Sequence, residues 1–257
     1  MILIGEKLNS SIPSAKRAYG GKDEDIIEII KSQSEAHYLD LNTATVRDEA
    51  QCMIRTVELI KKYSHAGIVL DSPNPDVIAR VVEKCGIDDL CINSVTLDKR
   101  INELSPIIAQ LGCKVIALPE DSMGIPASAA ERVTVAGKII EKLAKAGIKE
   151  SNIFVDLIIE SVAVNPDAAR TALDTLTLVK REFPKVKTVC GASNISFGLP
   201  KRAKINAAFI TCAAYLGLDS AILDTTNPDI MTAVKCADVI SGNDEYCMEY
   251  ISYIRGE

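Results

Sequence analysis

The sequence predicts an α/β protein built as a single (β/α)₈ TIM barrel over residues 1–257. Three observations carry this expectation. Short apolar runs alternate with helix-type segments from end to end. There are eight such runs, each without strict apolar/polar alternation, as for strands buried on both faces. No glycine-rich first turn is present: Gly5-Glu6-Lys7 is not G-x-G-x-x-G, and no G-x-x-x-x-G-K-[ST] loop follows any run. An open doubly wound sheet would need fewer strands and such a turn.

The runs are Ile2 to Ile4, Tyr38 to Leu41, Gly67 to Leu70, Leu90 to Ile92, Lys114 to Leu118, Ile153 to Val155, Lys187 to Val189 and Ser220 to Leu223. Helices are expected over 23–36, 46–63, 75–85, 97–111, 127–146, 166–183, 202–216 and 228–239, with a terminal helix over 244–254. Asn74-Pro75, Asn165-Pro166 and Asn227-Pro228 read as a cap followed by proline at the first helical position. The aspartate after each proline suits the positive end of the helix dipole. Gly67, Gly86, Gly112, Gly147 and Gly217 follow helices, where a left-handed cap is useful. No linker or low-complexity segment divides the chain.

Composition narrows the function. The 257 residues are 47% hydrophobic and 25% charged, as in ordinary globular proteins. No apolar stretch approaches the ~20 residues of a membrane span, and no basic region precedes Met1-Ile2-Leu3-Ile4 as in a signal peptide. A net charge of -6 without like-charge runs argues against a nucleic-acid surface. The eight cysteines form no C-x-x-C pair, so reduced, mostly buried thiols in a cytoplasmic protein are expected. The two histidines, His37 and His65, precede the second and third strands and belong to the bottom of the barrel, so a zinc hydrolase or Ser-His-Asp enzyme has little to draw on. No metal site is expected.

Barrel chemistry collects on the loops after the strands. The polar residues there are Glu6 and Asn9, Asp40 and Asn42, Asp71, Asn93, Glu120 and Asp121, Asp156, Ser193 and Asn194, and Asp224. Each alone could be a turn former or cap. A ring of carboxylates and carboxamides at almost every strand end exceeds what capping requires. Carboxylates there suit a heterocycle that presents an N–H and amino edge.

The same residues form an ordered series: Ile4-Gly5-Glu6-Lys7-Leu8-Asn9, Leu39-Asp40-Leu41-Asn42, Leu70-Asp71-Ser72, Ile92-Asn93-Ser94, Val155-Asp156 and Gly191-Ala192-Ser193-Asn194-Ile195-Ser196-Phe197-Gly198. This series resembles the pterin-binding methyltransferases, which include methyltetrahydrofolate:corrinoid protein methyltransferases and the folate module of cobalamin-dependent methionine synthase. The resemblance implies a dihydropteroate-synthase-like barrel, a homodimer, and methyl transfer between N5 of tetrahydrofolate and the cobalt of a corrinoid. It makes Asp71, Asn93 and Asp156 the pterin ligands and places Asn194 beside N5 as the catalytic residue. It assigns Glu6, Asn9, Ser196 and Arg202 to the rest of the pocket. Leu157 stands where the family often has proline, and Phe197 where some members have glutamine. No D-x-H-x-x-G segment is present, so the corrinoid is expected on a separate, transiently docked protein. Two alternatives share the pocket. Dihydropteroate synthases carry S-R-K after strand 7 and R-x-H near strand 8, where this chain has Ser193-Asn194-Ile195 and Ala221-Ile222-Leu223-Asp224. A non-catalytic folate-binding protein is the other.

Overall fold

Eight parallel strands close into a barrel in the order β1 to β8 in the computed structural model, which describes residues 1–256. The strands are β1 (Ile2–Asn9), β2 (Tyr38–Asn42), β3 (Gly67–Asp71), β4 (Leu90–Val95), β5 (Lys114–Ala117), β6 (Ile153–Asp156), β7 (Lys187–Gly191) and β8 (Ser220–Leu223). β8 returns to β1 with Ile2 opposite Ser220 and Gly5 opposite Leu223. The helices are α1 (Pro13–Tyr19), α2 (Asp23–Ser32), α3 (Glu49–Tyr63), α4 (Pro75–Lys84), α5 (Lys99–Leu111), α6 (Ala129–Lys145), α7 (Ala168–Glu182), α8 (Arg202–Tyr215), α9 (Pro228–Ile240) and α10 (Met248–Arg255). No helix among the described residues is long and apolar enough to cross a membrane.

Period-two alternation along the strands builds the barrel in layers. Ile4, Tyr38, Val69, Cys91, Ile116, Phe154 and Val189 point inward and pack as one apolar plug. Two residues further along β1, β2, β3, β4 and β6 come Glu6, Asp40, Asp71, Asn93 and Asp156. The barrel floor is therefore dry and its mouth polar. The outward-facing residues between them, such as Leu39, Leu41, Leu70, Ile92 and Val155, are fully buried under the helices.

Several boundaries differ from expectation. β1 runs on to Asn9, so Glu6 and Asn9 lie within a strand rather than after it. A register shift between Gly5 and Leu8 accompanies this extension. The helix α1 was not expected; Pro13 opens it, and Ala15, Ala18 and Tyr19 bury its inner face. α7 begins at Ala168 rather than at Pro166, although Asn165 still accepts from the Asp167 N–H at 3.1 Å. Asn74 and Asn227 cap α4 and α9 as expected. Gly112, Gly147 and Gly217 have positive φ, whereas Gly67 and Gly86 do not. Cys52, Cys85, Cys91 and Cys190 are buried, but Cys212, expected in apolar surroundings, is exposed.

Gly67 has a different task from the capping expected of it. A Cβ there would lie 2.3 Å from Cε1 of Tyr38. That ring cannot step aside, because its hydroxyl donates to Asp89 at 2.7 Å and Lys114 lies 5.3 Å above its face. Gly67→Ala is expected to destabilise the chain by about 1–3 kcal/mol through overpacking, read as a lower melting temperature. An unchanged melting temperature would show that the ring has another place to go.

Candidate active site

The register of neighbouring strands sets one side of the mouth. Asn9 pairs with Asn42, Asn42 with Asp71, and Asp71 with Asn93, so four polar residues share one rung of the barrel. Asp71 accepts from the Asn42 amide at 2.8 Å. Asn93 donates to Asp40 at 3.4 Å. Across the barrel, Asp156 accepts from the backbone N–H of Ile158 at 2.7 Å. Glu6 accepts from the Ser193 hydroxyl at 2.8 Å, which ties β1 to the turn after β7.

That turn is a short 3₁₀ segment, Ala192–Ser196. Arg202, at the start of α8, clamps it by donating to the Ser193 carbonyl at 2.6 Å and to the Ser196 hydroxyl at 3.1 Å. The guanidinium also lies 5.7 Å from the Phe197 ring centroid. Asn194 is exposed on this turn. Its amide lies over Gly191, where a Cβ would sit 3.0 Å from Nδ2. The side chain makes no hydrogen bond to any described residue, so its donors and acceptor are free for a ligand.

Burial gives the carboxylates unusual proton affinities. Desolvation pushes the Asp156 carboxyl up to about 6, opposed by the Ile158 N–H and the charge of Arg132. Asp71 is raised by desolvation, against the Asn42 hydrogen bond and the Arg100 charge. Glu6 is raised for the same first reason, with Ser193, Lys7 and Arg202 pulling it down and Asp224 pushing it up. Asp40 lies deepest, 3% exposed, and desolvation with the nearby Asp71 holds it well above the usual range. The mouth holds more carboxylate acceptors than its own amide and hydroxyl donors satisfy: Asn42 serves Asp71, Asn93 serves Asp40 and Ser193 serves Glu6, each with a single hydrogen bond. It is built to receive a ligand that brings N–H groups.

The expected site residues therefore separate into groups. Glu6, Asp71, Asn93 and Asp156 face the mouth, and Asn194 stands on its rim. Asn9 is at the same end, but its carboxamide oxygen accepts from the backbone N–H and hydroxyl of Ser11. Ser196 is fully buried at the end of the 3₁₀ turn, where its hydroxyl accepts from Arg202. Arg202 acts on the turn from outside. Asp40, Asn42 and Ser193, expected only as members of the strand-end ring without a ligand role of their own, join the polar mouth. Arg100 was not signalled at all, since it donates to the carbonyls of Ser72, Pro73 and Ser94. His37 accepts from the Leu3 N–H at the opposite end, as its position before β2 implied.

A family model described as pterin binding enzyme matches residues 13–224. The chain belongs to the pterin binding enzyme family. It is 29% identical over 262 residues to methylcorrinoid:tetrahydrofolate methyltransferase of Eubacterium limosum, spanning 99% of this chain and 96% of that protein. It is 30% identical over 241 residues to methionine synthase of Mycobacterium tuberculosis, covering 87% of this chain but 20% of that protein. Among solved structures, a dihydropteroate synthase of Coxiella burnetii in complex with pteroic acid superposes with a TM-score of 0.68 at 19% identity, covering 95% and 94% of the two chains. A Yersinia pestis homologue of that fold, solved with a pterine-sulfa conjugate, gives 0.70 at 14% identity over 94% and 93%. At such identities the likeness of structures speaks for the barrel alone. The sequence relatives carry the family.

Proposed function

We propose that the chain moves a methyl group between N5 of tetrahydrofolate and the cobalt of a corrinoid held by a separate protein. The observation that carries this reading is the opposed pair of acidic walls in the mouth. Asp71 and Asn93 stand on one side and Asp156 on the other, with the unpartnered Asn194 amide on the rim between β7 and α8. Asp71 and Asp156 accept from the amino and N–H edge of the pterin, and Asn93 completes that edge. Glu6 holds the Ser193 end of the turn that carries Asn194. Arg202 and Ser196 brace the same turn rather than touch the ligand.

The chemistry asks little of the rest of the chain. A methyl group on a tertiary amine is a poor electrophile, because the amine would leave as an anion. A proton delivered to N5 from solvent or a nearby acid as the carbon–nitrogen bond breaks lets the amine leave neutral, and a hydrogen bond to N5 stabilises the charge that builds there. Asn194 supplies the hydrogen bond without adding charge to an already acidic mouth. The methyl acceptor or donor enters from above, on a corrinoid protein that docks transiently. The relative from E. limosum, alike over nearly its whole length, supports this division of labour. We further read the enzyme as a cytoplasmic homodimer; the exposed Ala208, Cys212 and Tyr215 on α8 offer a face for the second copy.

Mixing the chain with methyltetrahydrofolate and a reduced corrinoid tests the reading directly. The expected result is chain-dependent conversion to methylcobalt absorbance. Tight folate binding without any cobalt methylation, by free corrinoid or by corrinoid protein, would make the chain a folate-binding protein instead.

A further inference from the structure

Arg132 belongs to α6, outside the barrel, yet it is 1% exposed. A buried guanidinium needs its donors satisfied. Here Nε donates to the Pro126 carbonyl at 3.0 Å, one terminal nitrogen to the carbonyls of Leu157 at 3.1 Å and Ile158 at 2.7 Å, and the other to the Glu160 carboxylate at 2.8 Å. One fork thus joins the loop after β5 to the loop after β6.

The second observation lies on the residue it grips. Ile158 sits at φ 54°, in the left-handed region that a β-branched side chain strongly disfavours. Such a conformation persists only where its surroundings impose it. The carbonyl of Ile158 is held by Arg132, and its N–H donates to Oδ1 of Asp156 at 2.7 Å. The preceding residue is also fixed, because the Leu157 N–H donates to the Val189 carbonyl at 3.0 Å. A continuous path therefore runs from the guanidinium through one strained peptide to the carboxylate in the mouth.

We propose that Arg132 is a positioning residue of the site: by holding the carbonyls of Leu157 and Ile158 it imposes the turn that aims the Asp156 carboxylate at the pterin edge. The proposal rests on the reading of Asp156 as a pterin ligand. The charge of Arg132 acts in the same direction as its geometry. The ionisable groups acting on Asp156 are Arg132 from α6, Asp71 from β3 and Cys190 from β7, and of these only Arg132 favours the anion. An ionised Asp156 can accept from two N–H groups; a protonated one has lost part of that capacity. Tetrahydrofolate affinity is therefore expected to fall at acid pH as Asp156 protonates, and to do so at higher pH when Arg132 is gone.

The experiment measures tetrahydrofolate affinity by calorimetry from pH 5 to 8 in the full chain, with melting temperatures in parallel. The variants are Arg132→Met, Arg132→Lys, Glu160→Gln and Asp156→Asn. Each is compared with the unaltered chain, so that the titration of the ligand cancels. Arg132→Met is expected to weaken binding about tenfold at pH 7 and to move the acid midpoint up by about one pH unit. Arg132→Lys keeps the charge but loses the fork, so its affinity falls while its midpoint moves less. Glu160→Gln, at a half-exposed position, removes the partner that partly neutralises Arg132, and its midpoint moves down. If Arg132→Met does not fold, the lysine and glutamine variants decide the matter by these opposite signs. Lower melting temperatures with unmoved midpoints and affinities would overturn the proposal and leave Arg132 a brace between loops. Asp156→Asn separates this failure from a deeper one. If it binds tetrahydrofolate like the unaltered chain, the assignment of Asp156 as a ligand falls, and the role of Arg132 with it.

Discussion

Asn194→Ala is expected to slow methyl transfer by about 100-fold, on the scale of losing one preorganised donor, while folate affinity falls much less. The difference between the two effects follows from when the hydrogen bond matters. In bound methyltetrahydrofolate, N5 is a neutral amine and a weak acceptor. As the carbon–nitrogen bond breaks, charge builds on N5 and the bond from Asn194 strengthens, so its loss falls on the transition state. Preorganisation is visible around the residue. The Glu6 to Ser193 hydrogen bond, the Arg202 clamp on Ser193 and Ser196, and the Val162 N–H on the Ile195 carbonyl at 3.0 Å hold the turn from three sides. None of these contacts uses the Asn194 side chain, so the variant should fold and melt as the unaltered chain does. Stopped-flow measurement of cobalt methylation, with folate affinity measured on the same preparation, checks the split. An equal loss in both would make Asn194 a binding residue, and no loss in either would make it a turn former.

The barrel was legible because buried parallel strands write themselves as short apolar runs, and Val69, Cys91, Ile116 and Phe154 stand within such runs. β1 was cut short for the converse reason. Glu6 and Lys7 interrupt its apolar run, although Leu8 beyond them is fully buried against the helices. A seven-residue α1 closed by Gly20-Gly21 is too short to show a helical period. The mouth was legible as a set of strand ends, but depth was not. Asp40 and Asp71 are both strand aspartates, and only register and burial separate the deeper one from the one on the shared rung. Ser196 read only as one member of a polar segment; that the 3₁₀ turn buries it and Arg202 donates to its hydroxyl was not visible before the turn was folded. Arg132 left no trace in the sequence, because its partners are mostly backbone carbonyls, which every residue carries.

Asp156→Asn is expected to weaken pterin binding and, in the absence of ligand, to stabilise the protein. The binding loss should reach about 2 kcal/mol or more, roughly 30-fold, because the N–H edge of the ligand meets a neutral amide in place of a carboxylate. The stability gain comes from the same burial. The Asp156 carboxyl titrates at about 6 in the fold, against an ordinary value of 3.8. A raised acid binds its proton more tightly folded than unfolded, so its contribution to stability is greatest when protonated and declines as pH rises through about 6. At pH 7 the buried carboxylate thus costs at most about 3 kcal/mol relative to its protonated form. Asparagine keeps an oxygen for the Ile158 N–H and removes the charge. Its melting temperature should therefore exceed that of the unaltered chain by several degrees at pH 7, and the gain should shrink toward zero near pH 4, where the aspartate is itself protonated in the fold. Thermal melts at the two pH values, beside calorimetry with tetrahydrofolate, check both halves. A variant less stable at pH 7 with undiminished binding would mean that Asp156 serves the fold rather than the ligand. A gain in stability together with lost affinity is the expected mark of a carboxylate kept buried at a cost for what it binds.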